Sequence, residues 1–257
     1  MIKSVVITKR SRFVLMFLAT ALFVLSLFWL FGGERADPTV GQKRLLPIYY
    51  VDTEEKKVAI SFDASWGAEY TETILGILKE NDIKTTFFLT GFWIEKYPEL
   101  VKKIVAEGHE LGNHTWTHPH LNTLDKESIK KELQRVHAAL TDLGGKEPYL
   151  FRPPFGEYSD KVIEVADELG YKTIQWSIDS LDWKDLGATT ITQRVTEKFH
   201  PGAIILFHNN GRYTADALPN IIKFAQENDY EIIPISELLY KEDYYIDSSD
   251  GAQKKNQ

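Results

Sequence analysis

From Lys57 to Tyr240 short apolar runs rich in β-branched and aromatic residues alternate with segments of helical period, and they do so seven times. The runs at 58–63 (VAISFD), 85–89 (TTFFL), 109–112, 149–152, 172–178, 203–207 and 231–235 have strand length and composition. Residues 68–81, 99–107, 126–143, 160–169, 190–199 and 216–228 space their apolar positions three and four apart, as a helix with one buried face requires. Strands that alternate with helices pair in parallel, because each helix supplies the crossover back to the start of the next strand. Periodicity alone leaves both a closed barrel and an open sheet. In either, the strand C-termini gather on one face, and residues that carry chemistry are expected just beyond them.

Other features bound the chemistry and the address. The 257 residues contain no cysteine, which removes disulfides, thiolate ligands and thiol nucleophiles. The first twelve residues hold Lys3, Lys9, Arg10 and Arg12 and no acid, whereas the whole chain has a net charge of −7. With no basic surplus in its body, the chain lacks the electrostatic footprint of a nucleic-acid binder. Residues 13–31 are uncharged and apolar on every face, and as a helix they span roughly 28 Å, enough to cross a bilayer. The basic flank predicts a cytoplasmic N-terminus and an exported body. The apolar stretch is longer than that of a cleaved signal peptide and ends in Trp29-Leu30-Phe31 without a small-residue cleavage site, so an uncleaved anchor is expected. The expected organisation is a basic head (1–12), a transmembrane anchor (13–31), a linker (32–56), an α/β domain (57–240) and a frayed polar tail (241–257).

Titratable residues do fall at the strand ends. Asp63 closes the first run, in SFDASWG, and His114 and His118 follow the third, in GNHTWTHPH. Arg152 ends the fourth, in FRPPFG; Asp179, Asp182 and Trp183 follow the fifth, in IDSLDW; His208 ends the sixth, in ILFHNN. Two imidazoles four positions apart share one side of a turn, as a divalent cation needs. Taken singly, each residue has a plain structural explanation: Asp63 as a helix cap, His208 as a satisfied core histidine, Arg152 as a turn flank. Seven such groups at apolar strand ends are poor design unless they converge.

In their order these motifs resemble the polysaccharide deacetylases of the NodB-homology type, carbohydrate esterases that remove N-acetyl groups from amino sugars. The resemblance covers residues 57–240 and implies a distorted (β/α) barrel of about seven strands. It implies that Asp63 is the general base, that Arg152 orients it, that His208 is the general acid and that Asp182 tunes His208. It further implies that His114 and His118 are metal ligands, with zinc the first candidate and cobalt an alternative. Phe155 stands at the position of an oxyanion-hole N–H, Trp183 at a hydrophobic wall, and Leu206 within the Leu206-Phe207-His208 motif. One position departs: where the family has a second acid, itself a metal ligand, this chain has Ala64. Metal affinity should drop, or Ser65, Asp63, His120 or water must compensate. The FDASWG variant resembles the sporulation-associated, membrane-anchored branch of spore-forming Gram-positive bacteria.

The expected activity is therefore metal-dependent de-N-acetylation of a cell-wall glycan, peptidoglycan before chitin, by a single-pass membrane protein whose catalytic domain lies outside the cytoplasm. Two alternatives remain: a glycan- or wall-binding domain that lost a metal ligand at Ala64, and an esterase that removes O-acetyl groups.

Overall fold

The computed structural model describes residues 44–143 and 147–256. In chain order its strands are β1 (Tyr50–Val51), β2 (Lys57–Ala64), β3 (Thr86–Leu89), β4 (Glu110–Asn113), β5 (Leu150–Phe151), β6 (Lys172–Thr173), β7 (Ile178–Asp179), β8 (Ile204–His208), β9 (Glu231–Ile232), β10 (Tyr244–Ile246) and β11 (Ala252–Lys255). The helices are α1 (Thr71–Glu80), α2 (Gly91–Lys96), α3 (Pro98–Ala106), α4 (Lys126–Asp142), α5 (Asp160–Glu168), α6 (Ala188–Thr196), α7 (Thr214–Glu227) and α8 (Ile235–Leu238).

β2 is buried from Val58 to Ala64 because both of its faces are covered, which is why it reads as a continuous apolar run rather than an alternation. Its neighbours are β3 and β8, and the main sheet runs β6-β5-β4-β3-β2-β8-β7, with β9 added beside the start of β2. Every pair in it is parallel. Among the described residues no ladder joins β6 to β7, so the seven strands form a half-barrel open on that side. The run 172–178, expected as one strand, is split. Gln175 N–H leaves β5 to donate to Ile48 O at 2.7 Å, and Ser177 N–H then donates to Ile204 O at 3.0 Å. One segment thus serves both edges of the arc.

The helices close over the sheet by the rules that predicted them. α4 starts where Asp125 accepts the Ser128 N–H at 2.7 Å and buries Ile129, Leu133, Val136 and Leu140, one per turn. Burying each such side chain contributes roughly 1.5–3 kcal/mol. α2 is a short helix that the sequence pattern did not reveal; Pro98 separates it from α3, which it opens at the first helical position.

Two boundaries need correction. Ile48 and Val51, placed in the linker 32–56, are buried, and β1 pairs in parallel with β11. The tail 241–257 is not frayed in its described part: β10 and β11 pair antiparallel and complete a three-stranded sheet with β1. Its polarity is misleading because the buried Gln253 is satisfied by main chain, accepting from Tyr240 N–H and donating to Tyr240 O at 2.9 Å each. The head 1–12 and the anchor 13–31 lie outside the described residues. Among the described residues no helix is long and apolar enough to cross a membrane.

Candidate active site

Strand register brings the predicted residues together. Asp63 and His208 are direct partners across β2 and β8. Asn113 and Phe151 are partners across β4 and β5, so His114 and Arg152 leave neighbouring strands side by side. A cavity of about 500 Å³ opens over these strand ends, with Asp63, His114, His118, Phe155, Trp183 and His208 on its wall. Leu206 lines it as well, while Arg152 and Asp182 stand fully buried behind the wall.

Arg152 is held by its surroundings before it meets any carboxylate. Its guanidinium lies 4.2 Å above the Phe88 ring, and Nη2 donates to Gln175 O at 3.1 Å. Phe88 can occupy that place because β4 has Gly112 opposite it; a Cβ there would come within 2.4 Å of the ring. Nη1 then donates to Asp63 Oδ1 at 2.8 Å, leaving Oδ2 for the cavity. Burial pushes the Asp63 carboxyl up, but Arg152, helped by His114 and His208, outweighs it and holds the group below the usual carboxylate range. Asp63 is therefore an ionised proton acceptor.

The opposite bias acts on His208. Its Nδ1–H donates to Asp182 Oδ1 at 2.7 Å, and its main-chain N–H donates to Asp182 Oδ2 at 2.7 Å. Thr214 Oγ1–H adds a third donor to Asp182 Oδ2 at 2.6 Å, so the carboxylate cannot rotate away. Burial pulls the His208 imidazole down, but the hydrogen bond and charge of Asp182 prevail and raise it above the ordinary histidine value. Nε2 is left as the protonated end. Asp63 and His208 thus have their proton affinities pushed apart at adjoining positions of the sheet, an arrangement that suits acid–base division of labour.

The two remaining histidines of the cavity wall are held neutral and have the chemistry of metal ligands. His114 Nδ1–H donates to Arg152 O at 2.7 Å, which leaves the Nε2 lone pair facing the cavity, 3.6 Å from Asp63 Oδ2. Burial lowers the His114 imidazole despite Asp63, and it drives His118 down to about 3, with His114 adding to the effect. The rings meet edge to face with centroids 4.9 Å apart, and His118 Nδ1 is buried without a partner. His118 also has φ 55, a left-handed backbone that costs about 1–3 kcal/mol for such a residue and re-aims its ring after Thr117. A fixed tautomer and an orphaned ring nitrogen fit a divalent cation held by two imidazoles. The third ligand is missing: the Ala64 methyl is packed in the apolar core, and no group of three metal-binding side chains occurs among the described residues. His120 does not compensate. Its ring stacks on Phe155 at 4.4 Å, and Nδ1 pairs with Glu157 at 2.9 Å.

Some residues of the site were not singled out from sequence. Thr214, which locks Asp182, carries no local signal. Trp66, Trp176 and Asn210 line the cavity without having been singled out, whereas Ser65, named from sequence as a compensating group, is buried on the wall with an unpartnered hydroxyl. Trp66 was legible in principle as an aromatic within the motif that carries the base.

Comparison with known proteins agrees with this geometry. The profile of the polysaccharide deacetylase family matches residues 50–174. The peptidoglycan-N-acetylmuramic acid deacetylase PdaA of Bacillus subtilis is 33% identical over 204 residues, 78% of each chain. A peptidoglycan-N-acetylglucosamine deacetylase of Bacillus cereus is 38% identical over 170 residues, 65% of this chain and 62% of that protein. The chain belongs to the polysaccharide deacetylase family. Among solved structures, a family 4 carbohydrate esterase pseudoenzyme of Bacillus anthracis is 37% identical with a TM-score of 0.74, covering 76% of this chain and 69% of that one. A mutant of that pseudoenzyme, described as having restored enzymatic activity, matches with the same TM-score at 38% identity, over 76% of this chain and 72% of that one.

Proposed function

We propose that this chain is a de-N-acetylase of cell-wall peptidoglycan, assisted by a weakly held divalent cation, and that it works from the outer face of the cytoplasmic membrane. The observation that carries the reading is the pair Asp63–His208, neighbours in strand register, each tuned by a buried partner toward opposite proton affinity. Asp63 Oδ2 takes a proton from the attacking water as its oxygen bonds to the acetamide carbon. The Phe155 N–H stabilises the developing oxyanion, a kind of interaction worth about 3 kcal/mol in other hydrolases. His208 Nε2 gives its proton to the sugar nitrogen as the C–N bond breaks, so acetate and a free amino sugar leave. His114 and His118 would hold the cation, whose Lewis acidity polarises the acetamide oxygen and acidifies the water beside it. Leu206 and Trp183 shape the apolar side of the cavity. Named relatives act on peptidoglycan, which supports that substrate. The uncharged stretch 13–31 behind a basic head supports anchorage with the domain outside, and FDASWG supports the sporulation-associated branch.

A second reading follows from Ala64 and from the pseudoenzyme neighbour: the same cavity binds wall glycan without turning it over. Two measurements separate the readings. Acetate release from purified wall glycan is expected from the parent protein with added zinc and is expected to stop with chelator. Ala64→Asp should bind zinc more tightly by calorimetry, since a third ligand completes the site. Turnover unaffected by chelation ends the cation's role, and a silent parent revived by Ala64→Asp establishes the binding reading.

A further inference from the structure

Trp66 is 58% exposed, although a large indole in water yields none of the free energy that burial would. Its mounting is rigid. The next residue, Gly67, has φ +68, and its carbonyl accepts two hydrogen bonds: from the buried Trp93 Nε1–H at 2.7 Å and from the buried Asn209 Nδ2–H at 3.0 Å. The indole rests edge-on against His118 at 4.7 Å between ring centroids and lies 6.0 Å from Phe92. From His118 the contacts continue to Phe155 at 4.5 Å and on to His120 at 4.4 Å. A connected band of five rings therefore runs past His118 and out of the cavity on both sides. Trp183, 59% exposed, faces the same cavity from the short 3-10 turn Asp182–Lys184 that follows β7.

We infer that Trp66 is a glycan-positioning residue: its exposed face stacks on a sugar next to the one whose acetamide reaches Asp63 and His208, so the protein selects chains over single sugars. This rests on the glycan reading of the site and names how that substrate is gripped. The apolar C–H face of a pyranose matches an aromatic plane. A plane fixed in advance costs little ordering entropy on binding. Trp66 stands on the cavity wall with 58% of its surface exposed, so a second sugar can cover the face left open by the one at Asp63 and His208, and the contact rewards length.

The test compares N-acetylglucosamine with penta-N-acetylchitopentaose as probes, by calorimetric binding and by acetate release, for the parent, Trp66→Ala and Trp66→Phe. Expected is a roughly tenfold rise in Kd and KM for the pentamer in Trp66→Ala, with kcat within about twofold, an unchanged response to the monomer and recovery in Trp66→Phe. Melting temperature should stay at the parent value, because the indole packs little. Equal losses for monomer and pentamer, or no loss for either, overturns the inference while the glycan reading stands. A parent that neither binds nor deacetylates any glycan overturns the glycan reading, and this inference with it.

Discussion

Replacing Arg152 by methionine keeps most of the side-chain volume and removes one charge from a pair that water cannot rescue. Arg152 is 0% exposed and the Asp63 side chain 7%, with 2.8 Å between Nη1 and Oδ1. Charge centres roughly 4 Å apart at an effective dielectric near 20 attract by about 4 kcal/mol. That agrees with the roughly 3–5 kcal/mol lost when one partner of a buried pair is removed. For a domain of this size each kcal/mol moves the melting temperature by about 2–4 °C, so Arg152→Met should melt about 8–16 °C lower at neutral pH. The pH dependence should change sign too. In the parent, the Asp63 pKa in the folded state lies below its unfolded value, so its stabilisation is present above the unfolded value and is lost as pH falls through the folded one. Without Arg152, burial dominates and the folded value lies above the unfolded one. The contribution of Asp63 is then present at low pH and is lost as pH rises. Thermal melts from pH 3 to 8 read both effects, and adding Asp63→Asn to Arg152→Met should restore most of the loss. A single variant that melts within about 2 °C of the parent across that range refutes the view that Arg152 exists to carry Asp63.

Further outcomes follow from the same contacts. Asp182→Asn removes the ionic acceptor that raises His208, so the alkaline limb of kcat/KM should move to lower pH and neutral-pH turnover should fall by about 10²-fold or more; an unmoved limb assigns the general acid elsewhere. The same substitution should cost stability only on the acid side, because a raised histidine stabilises below its unfolded pKa and loses that contribution as pH climbs through the folded one. Gly251→Ala should cost about 1–3 kcal/mol in a urea melt, since φ is +76 and the new Cβ would fall 2.3 Å from the Tyr49 ring and 2.9 Å from Pro47 O. An unchanged midpoint there means that the β1–β10–β11 sheet is not part of the cooperative unit.

The sequence was most readable where one physical rule acts alone. Apolar strands that end in a charged residue put Asp63, Arg152 and His208 at one rim, because parallel strands must present their C-termini together. Readability failed where two environments share one stretch. Residues 172–178 look like a single strand because both halves are apolar, yet each half bonds to a different part of the arc. The tail 241–257 looks like coil because the deeply buried Gln253 finds its partners in Tyr240 rather than in a periodic neighbour. Thr214 was invisible for a related reason: its value lies wholly in reaching Asp182, 32 positions away. Ala64 was the reverse, a residue whose meaning came from comparison with a motif and not from its own chemistry.

The charge balance explains how such a site holds its shape with an incomplete ligand set. Asp63 is neutralised by Arg152, and the protonated His208 by Asp182, so each of these charges has a buried partner supplied by the fold itself. His114 and His118 are held neutral by burial, and His114 is oriented by a main-chain carbonyl. Nothing in that scaffold needs a cation to offset an unpaired carboxylate. With an aspartate at position 64 the cluster would carry one more negative charge beside Asp63, and metal binding would be needed to relieve the repulsion. With alanine the apo site is electrostatically settled, and on the proposed reading a cation would be a loosely held participant rather than a structural one. Stability should accordingly respond little to zinc in the parent and strongly in Ala64→Asp, where a ligand that binds only the folded state adds RT ln(1 + [L]/Kd). Thermal melts with and without zinc on the two proteins read that difference independently of turnover. Equal shifts in both would mean that Ala64 did not cost the site its metal.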